Sequence, residues 1–132
     1  MKAILKRYRQ SPRKIRLVID AIKGKQVDVA ITELQNIIKR ASGPLEKLIK
    51  SAISNAVVNH GKQRDTLFIK DLRVDDGPTM KRMMPRAKGR GMTIRKRTGH
   101  IILELGEIKE KTQNTKYKPQ TKHKTQKVEK VE

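Results

Sequence analysis

The sequence predicts an α+β fold, with three helices ahead of most of the strands. Three observations carry that reading. Apolar residues recur at helical spacing in three successive stretches before residue 61. The pattern turns to period two after Gln63-Arg64-Asp65, and a long basic segment, 77–99, separates two alternating stretches. The 132 residues suit one domain with a tail, because two cores would each be too small to stabilise themselves. The expected division is a single domain over 1–106, with an extended hairpin at about 77–99, and a Lys-rich tail over 107–132.

The elements follow in order. Lys2 to Gln10 alternates weakly, with Ala3 and Leu5 on one side and Ile4, Lys6 and Tyr8 on the other, as in a short strand. Ser11-Pro12 reads as an N-cap followed by Pro at the first helical position, where its missing N–H costs nothing. Ile15, Val18, Ile19 and Ile22 form the buried face of this first helix, and Gly24 is its left-handed stop. Asp28 caps a second helix whose face is Ile31, Leu34, Ile38 and Ala41. Gly43-Pro44 breaks that run and opens a third. There Leu45, Leu48, Ile49, Ala52, Ile53, Ala56 and Val57 make a regular stripe up to Gly61, and the two alanines permit close packing by a neighbour.

Phe68, Leu72 and Val74 share one face of the next strand, with Lys70 interrupting the row. A last strand sets Ile101, Leu103 and Leu105 against Ile102 and Glu104. Between them, 77–99 has no acid and hardly any large apolar residue beyond Met80, Met83, Met84, Met92 and Ile94. A connection of that length is functional, disordered, or paired as two extended arms. The flanking strands favour the arms, which at ten residues each would project about 30 Å. From Glu107 onward no apolar periodicity remains, so the tail is expected to be disordered when free.

Charge is distributed unevenly. The chain carries 33 Lys or Arg against 13 Asp or Glu, a formal charge of +20. Residues 1–16 hold seven cations and no acid, and residues 77–106 hold eight cations and Glu104 alone. Residues 17–76 are nearly balanced, with ten cations and eight acids. A near-neutral middle flanked by basic segments suggests a folded body that carries cations toward a polyanion, of which nucleic acid is the commonest. Cys is absent, which removes disulfides, thiolate metal sites and Cys nucleophiles together. No apolar run exceeds three residues, far short of the stretch that a membrane span or signal peptide needs. A soluble, unexported protein indifferent to redox is expected.

The sharpest constellation is Met80-Lys81-Arg82-Met83-Met84-Pro85-Arg86-Ala87-Lys88-Gly89-Arg90-Gly91. Arg86 and Arg90 offer planar forks that match phosphate or a base edge, while Gly89 and Gly91 slim the tip for a narrow groove. Its methionines fit irregular surfaces such as stacked bases better than they fit a core. A second basic patch runs through Lys6, Arg7, Arg9, Arg13, Lys14 and Arg16, and Arg9, Arg13 and Arg16 draw together if the helix begins at Pro12. Tyr8, Phe68 and Tyr117 are the only aromatics, too few for a base-stacking platform, so structured RNA or duplex is the expected partner. His60, His100 and His123 are isolated, and His60 ends a helix, where satisfying carbonyls is its expected work. Asp75-Asp76-Gly77-Pro78 lacks the spaced oxygens of a calcium loop and reads as a turn opening the hairpin. No catalytic motif, metal site or cofactor is expected.

Several of these stretches, in this order, resemble the L-twenty-two family of large-subunit ribosomal proteins. They are Ser11-Pro12-Arg13-Lys14, Asn55-Ala56 with Asn59-His60-Gly61, Asp76-Gly77-Pro78-Thr79-Met80-Lys81-Arg82, Met84-Pro85-Arg86-Ala87-Lys88-Gly89-Arg90 and Arg95-Lys96-Arg97-Thr98. The likeness covers roughly residues 3–105. Gly91 and Gly99 depart from it, where the family often has Ala and Ser. The resemblance implies three helices packed on a small antiparallel sheet with a long protruding β-hairpin, and a non-enzymatic protein of the cytoplasmic ribosome. It implies binding to large-subunit ribosomal RNA, a role in its assembly, and a hairpin that lines the nascent-peptide exit tunnel through Met80 to Arg90. The implied neighbours are other large-subunit proteins near the tunnel constriction and, transiently, the nascent peptide, with no membrane and no second copy of the chain. The expected RNA contacts are the N-terminal cations above together with Lys81, Arg82, Arg86, Lys88, Arg90, Arg95, Lys96 and Arg97. A DNA-binding architectural protein would share the charge but would bind generic duplex DNA as well as RNA. A membrane-surface module would need cations opposite an apolar helix face, and only the first helix, with Arg13, Lys14, Arg16 and Lys23, comes near.

Overall fold

In the structure, a computed structural model that describes residues 1–108, three helices cover one face of a three-stranded antiparallel sheet. The tail expected over 107–132 lies, beyond its first two residues, outside the described residues. The elements are β1 (Lys2–Tyr8), α1 (Pro12–Ile22), α2 (Val27–Asn36), α3 (Ser42–His60), β2 (Leu67–Asp76), β3 (Met80–Pro85), β4 (Gly91–Lys96) and β5 (Gly99–Glu107). The strand order β1-β5-β2 places β5 in the centre, so the first and last strands pair and tie the two ends of the fold together. β3 and β4 form a separate two-stranded hairpin. This is the α+β architecture expected.

The core lies between helices and sheet. Ile101, Leu103 and Leu105 of β5 are buried, as their alternation requires, beneath Ile15 and Ile22 of α1, Leu34 of α2 and Leu45, Ile49 and Ala52 of α3. α1 starts as predicted, with Ser11 at the N-cap and Pro12 at the first position. The cap works through the Ser11 carbonyl, which accepts from Lys14 and Ile15, and not through the hydroxyl. Gly24 adopts φ +78°, in keeping with its expected role. α3 ends at Gly61, φ +59°, where the Gly61 and Lys62 amides donate to the Val57 and Ala56 carbonyls. Backbone amides thus satisfy the Ala56 and Val57 carbonyls without the exposed His60.

Four more expectations are corrected in α2, α3 and β2. α2 begins at Val27 with Gln26 at its cap, so Asp28 sits inside the first turn and pairs with Arg64 instead. α2 also stops at Asn36, because Ile37 takes an extended conformation. That turn leaves Ile38 96 % exposed and gives Ala41 to the start of α3. Val57 lies at the margin of the α3 stripe and is exposed. In β2 a bulge between Ile69 and Asp71 shifts the alternation. Leu67 and Ile69 face the core before it, Leu72 and Val74 after it, and Phe68 falls on the opposite face. Lys70 interrupts the apolar row because the bulge is there.

A bulge also resets β1. Leu5 pairs with Ile101 and Tyr8 with Gly99, so Lys6 and Arg7 together oppose His100. Arg7 takes φ +55°, which costs a non-glycine residue roughly 1–2 kcal/mol. Tyr8 therefore joins the core side with Ala3 and Leu5, and not Ile4 and Lys6 as simple alternation predicts.

The hairpin is hinged on a tight junction at Gly77. Its amide donates to the Thr98 carbonyl at 2.9 Å, and the buried Thr98 hydroxyl donates to the Pro78 carbonyl at 2.7 Å. A Cβ on Gly77 would lie 2.5 Å from Thr98 Oγ1 and 3.2 Å from the Thr98 backbone. Gly77→Ala is accordingly expected to cost about 1–3 kcal/mol in denaturant unfolding and to raise amide exchange at position 77. A variant as stable as the parent would show that the two arms can separate here without cost.

Candidate nucleic-acid interface

Every residue from Met80 to Arg97 is exposed, so the hairpin stands clear of the helices. Its arms pair over six residues each, Met80 with Lys96 through Pro85 with Gly91, a reach of about 20 Å rather than the 30 Å expected of longer arms. The register sorts the side chains by face. Met80, Arg82 and Met84 share one face with Lys96, Ile94 and Met92. Lys81, Met83 and Pro85 share the other with Arg95, Thr93 and Gly91. Lys81 and Arg95 are directly opposite, a like-charge pair that a free hairpin pays for and a polyanion relieves. Met83 lies over Gly91, where a Cβ would meet its side chain at 3.1 Å. At the tip Ala87–Gly89 forms one tight turn with Lys88 at φ +59°, and Arg86, Lys88 and Arg90 are exposed there.

Two adjoining concavities join the hairpin base to the start of α1. One is lined by Arg13, Lys14, Arg16, Asp76 and Arg97. The other is lined by Arg9, Lys14, Arg40, Arg95, Lys96 and Arg97. The fold thus brings together two basic segments about eighty residues apart in sequence, with Lys14 and Arg97 common to both hollows. Arg16 is also held in place, donating to the Val74 carbonyl at 3.0 Å. Lys6 and Arg7 are not part of this surface. They line a third hollow with Asp75, Pro78 and His100. Lys81, Arg82, Arg86, Lys88 and Arg90 stand farther out along the hairpin.

Arg40 is the member that sequence reasoning missed. It lies in the near-neutral middle, where a charge sum hides it, and only the fold delivers it. The Tyr8 hydroxyl donates to the Arg40 carbonyl at 3.2 Å and ties the loop before α3 to the end of β1.

Asp76 is the one acid lining the two hollows, and it makes no ion pair with any described residue. Among the described residues every ion pair uses Lys2, Lys23, Lys25, Lys50, Lys62 or Arg64, none of which was expected at the interface. A hydrogen bond from the partner ammonium holds three carboxyls below their ordinary range: Lys50 for Glu46, Lys23 for Asp71 and Lys2 for Glu104. The expected contact cations, from Lys6 to Arg97, have no carboxylate within 4.0 Å among the described residues. Lys39, Lys47, Lys70 and Arg73 are likewise in no ion pair with a described residue, so what distinguishes the expected contact cations is that the fold gathers several of them at the hairpin base. No cluster among the described residues could hold a metal ion, and no described helix is long and apolar enough to cross a membrane.

A family model described as ribosomal protein L22p/L17e matches residues 3–106. The chain belongs to this family. It is 52 % identical over 106 residues to the large ribosomal subunit protein uL22 of Thermoanaerobacter sp. (strain X514), covering 80 % of this chain and 96 % of that protein. The uL22 of Mycoplasma capricolum is 47 % identical over 108 residues, 82 % of this chain and 97 % of the relative. That of Acetivibrio thermocellus is 51 % identical over 106 residues, 80 % and 85 % respectively. Membership of the L22p/L17e family makes the chain a large-subunit ribosomal protein, with its place in the cytoplasmic ribosome, and not an enzyme. The matched span takes in both hollows and the whole hairpin.

Proposed function

We propose that the chain, acting through a single domain over 1–106, binds large-subunit ribosomal RNA and supports its assembly, with the paired hollows gripping phosphates. The single observation that carries this reading is the crowd of cations, none in an ion pair with a described residue and with Asp76 the one acid beside them, that the fold gathers at the hairpin base. So much like charge at close quarters is favourable only against a polyanion, and guanidinium forks in a hollow suit phosphate oxygens in several directions at once. The hairpin extends this surface into folded RNA, and its Met80–Arg90 segment lines the nascent-peptide exit tunnel. Six-residue arms with a one-turn tip are slim enough for a passage, and their thioethers adapt to irregular walls. In that position the tip adjoins other large-subunit proteins and, transiently, the nascent peptide, with one copy of the chain per subunit.

Two experiments test the two halves. Cosedimentation with large ribosomal subunits through a high-salt wash is expected to retain the chain, and its loss to the supernatant would refute RNA burial. A photo-crosslinker at Met84 or Lys88 in assembled ribosomes is expected to capture stalled nascent chains, whereas capture of RNA alone would place the tip away from the lumen. The same geometry predicts that RNA orders the tip, since all of its side chains are exposed in the free chain. Amide exchange over 80–95 should slow by at least an order of magnitude on RNA binding; equal protection with and without RNA counts against this.

A further inference from the structure

His100 does work that the charge pattern does not reveal. It sits on β5 opposite the β1 bulge, and its Nδ1 accepts the Arg7 amide at 3.1 Å. In a regular ladder that amide would find a strand carbonyl or water. Here Arg7 is in the left-handed region, φ +55°, a conformation that bulges usually give to glycine. A ring nitrogen that accepts a backbone N–H must be bare, so the imidazole proton resides on Nε2.

Strand parity shows what the bulge accomplishes. Ala3 and Leu5 face the helices, and without an extra residue Arg7 and Arg9 would follow them onto the apolar side. With it, Tyr8 takes the core position and ties down Arg40, Arg7 turns outward, and Arg9 reaches the hollow shared with Lys14 and Arg95.

We propose that His100 is a positioning residue for RNA binding: its Nδ1 holds the bulge that brings Arg9 into the hollow at the hairpin base and seats Tyr8 against Arg40. This rests on the RNA-binding function proposed above. The test compares the full-length chain with His100→Ala and His100→Asn, titrating each with protein-free large-subunit ribosomal RNA over a range of salt. Asn carries its side-chain oxygen where the imidazole carries Nδ1, so it restores the acceptor without the ring. His100→Ala is expected to bind roughly tenfold more weakly, with a salt slope shallower by about one contact, and His100→Asn to bind within about twofold of the parent. A loss of stability alone would not change the slope.

An Ala variant with parental affinity and slope overturns the proposal, and so does an Asn variant as weak as Ala. If His100→Ala does not fold, nitrogen NMR of the unsubstituted chain decides. A bare Nδ1 coupled across the hydrogen bond to the Arg7 amide supports the device, and a protonated Nδ1 overturns it. Failure of the parent chain itself to bind the RNA would refute the proposed function, and the NMR result would then judge the His100 contact alone.

Discussion

Replacing Arg13, Lys14, Arg95 and Arg97 together by Ala should weaken binding to large-subunit ribosomal RNA on the order of a thousandfold near physiological salt. Each phosphate contact releases condensed counterions, so each one lost makes the dependence of log affinity on log salt shallower by about 0.7–0.9. If most of the four residues face phosphate, the slope falls by about three. Folding stability should change by less than about 1 kcal/mol, because these side chains are exposed and have no carboxylate partner among the described residues. A second variant, with Lys23, Lys25, Lys50 and Lys62 changed to Ala, removes the same charge from places already paired with acids. It should lose far less affinity and retain the slope. Equal losses in the two variants would mean that net charge, and not the geometry of the hairpin base, governs binding.

The largest expected effect on the fold is that of Leu103→Ala. Leu103 is fully buried at the middle of the central strand, flanked in register by Ala3 on β1 and Leu72 on β2. Its removal leaves a cavity bounded on both sides by paired strands, which cannot collapse into it readily. The expected cost is about 3 kcal/mol, a large share of the stability of a domain this size. In urea unfolding the midpoint should fall with no change in the dependence on denaturant. A variant within about 1 kcal/mol of the parent would mean that the sheet and helices do not share one tightly packed core.

Much of this fold can be read from the sequence because local rules and tertiary packing agree. The α3 stripe from Leu45 to Ala56, the Ser11-Pro12 start of α1 and the alternation of Ile101, Leu103 and Leu105 each satisfy propensity, capping and burial together. The misreadings fall where one extra residue changes parity. Unbroken alternation through Lys70 and through Lys6-Arg7 puts Phe68 inside and Tyr8 outside, and only pairing with β5 reveals either bulge. The candidate interface is similarly divided. The two basic runs are visible in the charge sums, but the meeting of α1 with the hairpin base, the contribution of Arg40 and the support from His100 arise from strand order. No one-dimensional pattern encodes contacts between residues so far apart along the chain.

The central claim is that these cations are exposed for the sake of folded ribosomal RNA. It is tested most directly by titrating the intact chain with protein-free large-subunit RNA at increasing salt, in competition with generic duplex DNA of equal phosphate content. A steep salt dependence is expected, equivalent to about six or more phosphates, with a preference for the ribosomal RNA of at least about a hundredfold that persists as salt rises. A shallow dependence, or equal affinity for the two polymers, would contradict it.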